Sequence, residues 1–180
     1  MKTLKPRTTF GSRSGTLLLV ISMVSGFGPL ACSVTGPLRE DAKAEGYTLA
    51  KLPSHWKKEE LGAEADAVFY SATTKSLISV NSVCDRYTDS RLETLTQDLL
   101  SPMKAVKVVH QEDLKISDRR ALFTRAEGQI DGVSVQMSVI VLRKNRCLFD
   151  FSLFGTGITD AERREFMSFV QGFRYQEASR

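Results

Sequence analysis

The sequence predicts an α+β sandwich, in which an antiparallel sheet of about six to seven strands packs with two main helices. Two observations support this prediction. Segments that alternate apolar and polar residues follow one another with short turns between them, and two helix-like segments occur, one in mid-chain and one near the end. Strands in hairpin succession, with helices inserted between and after them, are typical of an antiparallel sheet covered by helices.

Three strands are predicted in the first part of the domain. Residues 47–52 form a short strand, residues 53–56 form a corner that begins with proline, and a charged loop follows. Residues 67–71 and 77–84 then alternate apolar and polar side chains, which is the pattern of strands with one buried face. These segments predict the first part of the sheet.

A helix is predicted after the third strand. Ser90 is placed to cap its first turn, and the helix continues through Leu100 until Pro102 ends it. Three leucines share one stripe with Leu100, as expected of a helix that covers a sheet. These are Leu92, Leu95 and Leu99.

Four further strands are predicted before the second helix. The cleanest is residues 133–143, because five apolar residues alternate along one face. Asp131-Gly132 before it and Lys144-Asn145 after it are typical hairpin turns. The other three strands are residues 106–114, residues 120–127 and a segment around Cys147.

The last predicted element is an amphipathic helix. Thr159 and Glu162 have the spacing of a capping box, in which each side chain bonds the other residue's backbone. The apolar stripe that follows has helical spacing and predicts packing against the sheet rather than a membrane-seeking face. Its members are Phe166, Phe169, Val170 and Phe173.

The order of these elements over residues 47–175 resembles the PsbP-like fold, named after an extrinsic subunit of photosystem II. The resemblance depends on an early Leu52-Pro53 followed by Trp56, a helix in mid-chain, a run of long strands and a closing helix that ends in residues 169–173. The chain is also similar to small bacterial lipoproteins of unknown function that share this fold. The resemblance implies a fold and carries no catalytic motif.

The first 32 residues have the pattern of an export signal. Four basic residues precede an apolar run of about eight residues, and a small residue, Ala31, comes just before Cys32. Leu30-Ala31-Cys32 resembles a bacterial lipobox, which implies cleavage before Cys32 and a lipid on its thiol. Ser33, directly after the cysteine, resembles the residue found at that position in lipoproteins that are sorted to the outer membrane. A soluble exported protein cut near Ala31 is the alternative.

This pattern divides the chain into four segments. Residues 1–31 are a signal peptide, and residues 32–45 are the lipidated cysteine with a polar tether. Residues 46–176 are one α+β domain of ordinary size, and residues 177–180 are a tail. We expect the lipid to hold this domain at the periplasmic face of the outer membrane.

The charge balance changes once the signal is removed. Four of the 25 Lys and Arg lie in residues 1–32, which contain none of the 21 Asp and Glu, so the mature chain is neutral. We therefore expect no nucleic-acid partner. The nearest basic cluster, residues 115–120 with Arg125, alternates with apolar residues and indicates a solvated strand edge.

Cys84 and Cys147 form an even pair once Cys32 carries a lipid. In an oxidising compartment such a pair is typical of a disulfide. Strand alternation places Cys84 on the side of Ile78 and Val80, and Cys147 on the side of Phe149, so both thiols point toward the core. Two buried free thiols are the alternative.

No catalytic constellation and no metal or cofactor site is predicted. The chain has two histidines, His55 and His110, and lacks a nucleophile motif around any serine. The sequence therefore favours a non-catalytic, lipid-anchored module that binds envelope proteins, as an accessory to a periplasmic or outer-membrane assembly. A carrier of a small hydrophobic ligand, with its pocket at His55 and Trp56, is one alternative. A hydrolase that uses either histidine is the other.

Overall fold

A computed structural model describes residues 42–60, 65–87 and 89–175. The predicted signal peptide, Cys32, most of the tether and the tail lie outside the described residues. The described part forms an antiparallel sheet of seven strands, a separate pair of short strands, and two helices. The predicted α+β class is therefore confirmed.

The large sheet has the strand order β2-β3-β4-β8-β7-β6-β5, and every neighbouring pair in it is antiparallel. The short pair joins the start of the domain to its end. Its strands are β1 (Tyr47–Thr48) and β9 (Arg174–Tyr175). The strands of the large sheet are β2 (Trp56–Glu59), β3 (Ala67–Ser71), β4 (Ser76–Cys84), β5 (Lys104–Ile116), β6 (Arg119–Ile130), β7 (Val133–Lys144) and β8 (Cys147–Gly155).

Each face of this sheet is packed against one helix. Helix α1 (Leu92–Leu100) covers β6 and β7 on one side, which we call the α1 face, and helix α2 (Asp160–Gln171) covers the other side, the α2 face. Alternation along β8 supplies both faces, since Phe149 and Phe151 point toward α2 while Leu148 points toward α1. Burial on both faces explains why β8 is apolar almost throughout.

Phenylalanine dominates the core on the α2 face. The predicted stripe of α2 packs there, and its residues Phe166, Phe169 and Val170 are buried. Phe173 follows the helix and meets Phe149 edge to face at 4.8 Å between ring centroids. The Thr159 hydroxyl accepts a bond from the Glu162 N–H, so the predicted capping box begins this helix.

Three of the hairpins turn through only two residues. In each turn both central residues have positive φ, the geometry of a type I′ turn, whose twist matches that of the flanking strands. The turn before β8 lies one residue later than predicted, because Lys144 pairs with Cys147 across it. The central residues are Ser117-Asp118 between β5 and β6, Asp131-Gly132 between β6 and β7, and Asn145-Arg146 between β7 and β8.

A disulfide joins Cys84 to Cys147, which face each other at one end of β4 and β8. The start of the domain is attached at the same place. The N–H of Cys84 donates to the Ala42 carbonyl over 2.7 Å, and the N–H of Ala44 donates to the Ser82 hydroxyl over 2.9 Å. The tether therefore enters the domain at the end of the sheet that carries the disulfide.

Three predictions of local structure were wrong, concerning the length of the first strand, the charged loop and the cap of α1. The first strand is confined to Tyr47–Thr48, because the chain then follows α2 and the Ala50 N–H donates to the Phe169 carbonyl. The predicted charged loop contains β2, an edge strand whose polar side chains face solvent and so lack strand alternation. Ser90 does not cap α1, since Arg91 occupies the N-cap position without a side-chain bond.

A polar network joins the start of the domain to the centre of the sheet. Lys43 lies 3.4 Å from an Asp66 oxygen and donates to the Asn81 side chain, which in turn donates to Asp150 over 3.2 Å. Tyr47 donates to Asp66 over 2.8 Å, and burial with this bond raises the pKa of its hydroxyl. Burial raises the pKa of Asp150 to about 6, with Asp66 adding to the rise and Asn81 opposing it.

The raised pKa of Asp150 makes stability depend on pH. The folded state holds the carboxyl proton more tightly than the unfolded state, so this group stabilises below about pH 4 and loses that contribution as pH rises through 6. We expect Asp150→Asn to gain about 2 kcal/mol of unfolding free energy, relative to wild type, between pH 4.5 and pH 7.5. Urea denaturation of both proteins at pH 4.5 and pH 7.5 measures this gain. A difference in unfolding free energy between variant and wild type that is the same at both pH values would contradict the prediction.

Candidate functional site

A cleft with a cationic lining opens at the end of the sheet that carries the disulfide. Its volume is about 390 Å³. It lies at the end of the sheet, between the loop that follows β4 and the turns that precede β6 and β8. Five of its nine lining residues are cationic and none is acidic. They are Arg86, Arg119, Arg143, Lys144 and Arg146, with Val83, Tyr87, Asn145 and Leu148.

Tight turns bring these cations together. Arg119 directly follows the Ser117-Asp118 turn, and Arg146 is itself the second residue of the Asn145-Arg146 turn. Because β5 and β7 run toward this end of the sheet and β6 and β8 run away from it, both turns lie at the same end. Arg86 lies in the loop that follows β4, two residues after Cys84 of the disulfide.

The floor of the cleft is apolar. Val83, Leu148 and Arg143 occupy one row across β4, β8 and β7, and their side chains share the α1 face. Leu148 is buried, while Tyr87 at the rim is 40% exposed. The cleft thus combines a cationic wall with a floor that a hydrocarbon or sugar carbon could contact.

Bonds within the cleft hold several cations in place. The Lys144 ammonium donates to the Ser117 hydroxyl over 2.9 Å, which ties the two turns to each other. The Arg146 guanidinium lies 2.8 Å from an Asp85 carboxylate oxygen, and the Asp85 N–H donates to the Arg146 carbonyl. The Arg86 guanidinium carbon lies 5.4 Å from the centre of the Tyr87 ring. Asp85 therefore offsets one charge of the cationic wall.

Arg119 is the most available of the five. It is exposed, and its side chain forms neither a hydrogen bond nor an ion pair with any other residue of the described part. The neighbouring Arg120 differs, because its guanidinium bonds both Asp113 and Glu93, at 2.8 and 2.7 Å. These bonds raise the pKa of Arg120, and its hydrogen bond is the main cause of the lowered pKa of Glu93. The charge of Arg120 is thus paired within the protein, whereas the exposed guanidinium of Arg119 is available to a ligand.

Such a lining suits an oxyanion. A guanidinium presents several N–H donors in a planar fork that matches the oxygens of phosphate or carboxylate, and Lys144 adds a compact positive charge. No group of three or more His, Cys, Asp or Glu that could hold a metal occurs among residues 42–60, 65–87 and 89–175. The arrangement can bind and orient an anion.

His55 and Trp56, the predicted ligand pocket, are joined through Glu165 of α2. Trp56 is buried in the core, and its indole N–H donates to the Glu165 carboxylate over 2.8 Å. The Nε2 atom of His55 lies 3.2 Å from the same oxygen, and its ring is 5.6 Å from that of Trp56. The two side chains do lie together, and the pocket stays a prediction.

The remaining predicted residues lie apart from the cleft or beside it. His110 is on the edge strand β5, where its Nε2 lies 3.2 Å from Glu112. Cys84 and Cys147 flank the cleft, since Asp85 to Tyr87 follow one and Arg146 precedes the other. Cys32 lies outside the described residues.

The cleft could not be predicted from local sequence patterns, because its cations are spread over sixty residues of the chain. The segment of residues 115–120 was expected to form a solvated strand edge, and Arg119 is exposed there but also lines the cleft. A usable signal existed, because Arg119 and Arg146 each adjoin a predicted or possible hairpin turn. Placing the turns at the two ends of an antiparallel sheet would have gathered both arginines at one end.

No described helix is long and apolar enough to cross a membrane. No family model matches the chain, and no curated protein matches it. The fold is nevertheless PsbP-like. The solution structure of cyanobacterial PsbP from Synechocystis superposes with a TM-score of 0.54 at 15% identity, over 83% of this chain and the whole of that one.

A crystal structure from Bacteroides thetaiotaomicron is also similar. It superposes with a TM-score of 0.52 at 13% identity and covers 73% of this chain. The match spans 45% of the Bacteroides protein, so this chain corresponds to less than half of that molecule. Both similarities concern the fold.

Proposed function

We propose that this protein is a non-catalytic, lipid-anchored binding module of the bacterial cell envelope, and that the cationic cleft holds an anionic group of what it binds. The observation that carries the proposal is the concentration of five cations among the nine lining residues of one cleft, with Asp85 beside it offsetting only one of them, in a chain that is neutral after residue 32. A neutral chain gains nothing in solubility from such a cluster, and like charges held together repel each other.

Two sequence features support the cellular location. The lipobox-like segment ending at Cys32 favours a lipid anchor, and Ser33 favours the periplasmic face of the outer membrane. The Cys84–Cys147 disulfide supports an exported protein, because such bonds persist in oxidising compartments. The module would act there as an accessory to a periplasmic or outer-membrane assembly.

The carrier hypothesis has weaker support. It needs an accessible pocket at Trp56, whereas the indole is 5% exposed and its N–H is bonded to Glu165. A hydrophobic ligand there would have to displace core side chains that already pack on the ring.

Anion binding at the cleft is tested by charge reversal of Arg119. We expect the mature chain to bind pyrophosphate in low salt, and Arg119→Glu to weaken binding roughly tenfold, because it removes one attraction and adds a repulsion. Isothermal titration calorimetry measures both affinities. Arg164→Glu is the matched control, since Arg164 is exposed on α2 and its reversal changes the net charge equally.

Wild-type affinity in Arg164→Glu with loss in Arg119→Glu assigns the anion to the cleft. Equal losses in the two variants would mean that pyrophosphate responds only to net charge. Absence of binding to the wild-type chain would remove the cleft from the proposed function.

The lipid anchor is tested by intact mass of protein extracted from membranes of the native host. We expect a chain that starts at Cys32 and carries a diacyl or triacyl increment, because the lipobox places the acylated thiol at the mature N-terminus. An unlipidated chain cut near Ala31 would instead make the protein soluble and exported.

The absence of catalysis is tested by a panel of ester, phosphate and glycoside substrates. We expect no turnover above buffer, because no nucleophile motif was found in the sequence and the cleft supplies cations without a general base. Turnover that disappears in the double variant His55→Ala/His110→Ala would favour the hydrolase hypothesis instead.

A further inference from the structure

We propose that the cleft binds the phosphate groups of lipid headgroups on the membrane that anchors the protein, and so fixes the orientation of the domain on that surface. The proposal rests on the lipid anchor and the anion-binding cleft proposed above. It goes further by naming the ligand and its source.

The first argument is the place where the tether enters the domain. Ala42, the first described residue, accepts a hydrogen bond from the N–H of Cys84 at the end of β4. Arg86 and Tyr87, which follow shortly after Cys84 along the chain, form one side of the cleft. The tether and the cleft therefore share one end of the sheet.

The second argument is the length of the tether. Ala42 lies ten residue steps after Cys32, and a fully extended chain of that length spans roughly 35 Å. That distance is close to the size of the domain itself, so an acylated Cys32 keeps the cleft end within one domain diameter of the lipid surface. A ligand that is part of this surface is then available to the cleft at high effective concentration.

The third argument is the chemistry of the opening. Arg86, Arg119 and Arg146 are exposed, so a flat surface covered with phosphates can reach them. Tyr87 stands at the rim, and tyrosine is a residue that favours the boundary between water and lipid. The apolar floor of Val83 and Leu148 suits the glycerol carbons next to a phosphate.

The orientation of the domain on the membrane is not set by the acyl chains. An acyl anchor at Cys32 would hold the domain near the membrane without by itself setting which end of the domain faces the lipid. Cations grouped at one end are attracted to anionic lipid, which directs that end toward the surface. The opposite end, with the Asp131-Gly132 turn, then faces the periplasm and any protein partner.

The experiment separates lipid binding from acyl anchoring. The mature chain from residue 32 carries Cys32→Ser, so that no acyl chain holds it, and is sedimented with vesicles of phosphatidylethanolamine and phosphatidylglycerol in a ratio of about three to one. We expect binding in low salt, displacement by excess pyrophosphate, and a roughly tenfold loss in Arg119→Glu. Arg164→Glu should bind as the wild-type chain does.

Each alternative result has a defined meaning. Equal binding by Arg119→Glu and Arg164→Glu overturns the inference, because the vesicles would then respond to net charge alone. Pyrophosphate binding without vesicle binding overturns the lipid source and leaves the proposed function intact. Failure of both ligands overturns the inference and also removes the cleft from the proposed function.

An acidic protein segment is the remaining source of anions. A polyglutamate peptide serves as its probe in competition with the vesicles. If the peptide binds the cleft at concentrations where vesicles do not, the inference of a lipid ligand is overturned in favour of a protein partner. If vesicles bind and the peptide does not displace them, the inference stands.

Discussion

The antiparallel pairing of β8 between β4 and β7 is the constraint on which the rest of this structure depends. β8 lies in the middle of the large sheet, and its alternate residues supply the cores of both faces. Its register with β4 places Cys147 opposite Cys84, where the disulfide forms and the start of the domain attaches. Its register with β7 sets the two-residue turn that carries Arg146 into the cleft. A slip of one residue would exchange the two faces and move all of these features together.

The same pairing explains why charge collects at one end of the sheet. Two-residue hairpins leave almost no loop, so the residues beside each turn are held at fixed positions at the sheet end. The hairpins before β6 and before β8 close at the end where β4 stops, and polar residues suit these solvent-facing turns. Lys144 and Ser117 bond across the two turns, which makes them one rigid wall rather than two independent loops. Pre-organised cations of this kind lose little conformational entropy when an anion binds.

Most of the fold could be predicted from periodicity, and the candidate site could not. The alternation of residues 133–143 and the capping box at Thr159 specify local structure that burial then reinforces. The edge strand β2 was missed because both of its faces meet water beyond Trp56, so the hydrophobic signal is absent. The predicted cap of α1 was wrong because Ser90 lies one residue before the N-cap position, which Arg91 occupies. The disulfide followed from alternation, whereas the cleft depends on which turns share an end, and that is a property of topology.

The net charge of a chain does not describe how its charges are distributed, and the cleft is a local cluster of cations in a chain that is neutral after residue 32. A balance of 21 basic and 21 acidic residues after residue 32 argues against a surface that attracts polyanions over its whole extent. It says nothing about a cluster, because attraction in salt acts within about one Debye length, roughly 8 to 10 Å. Arg119 lines the cleft without an ion pair in the described part of the chain, whereas Arg146 is paired with Asp85, and Arg120 beside the cleft is paired with Asp113 and Glu93. A ligand that approaches this end therefore meets a net positive local charge, although the chain after residue 32 is neutral as a whole.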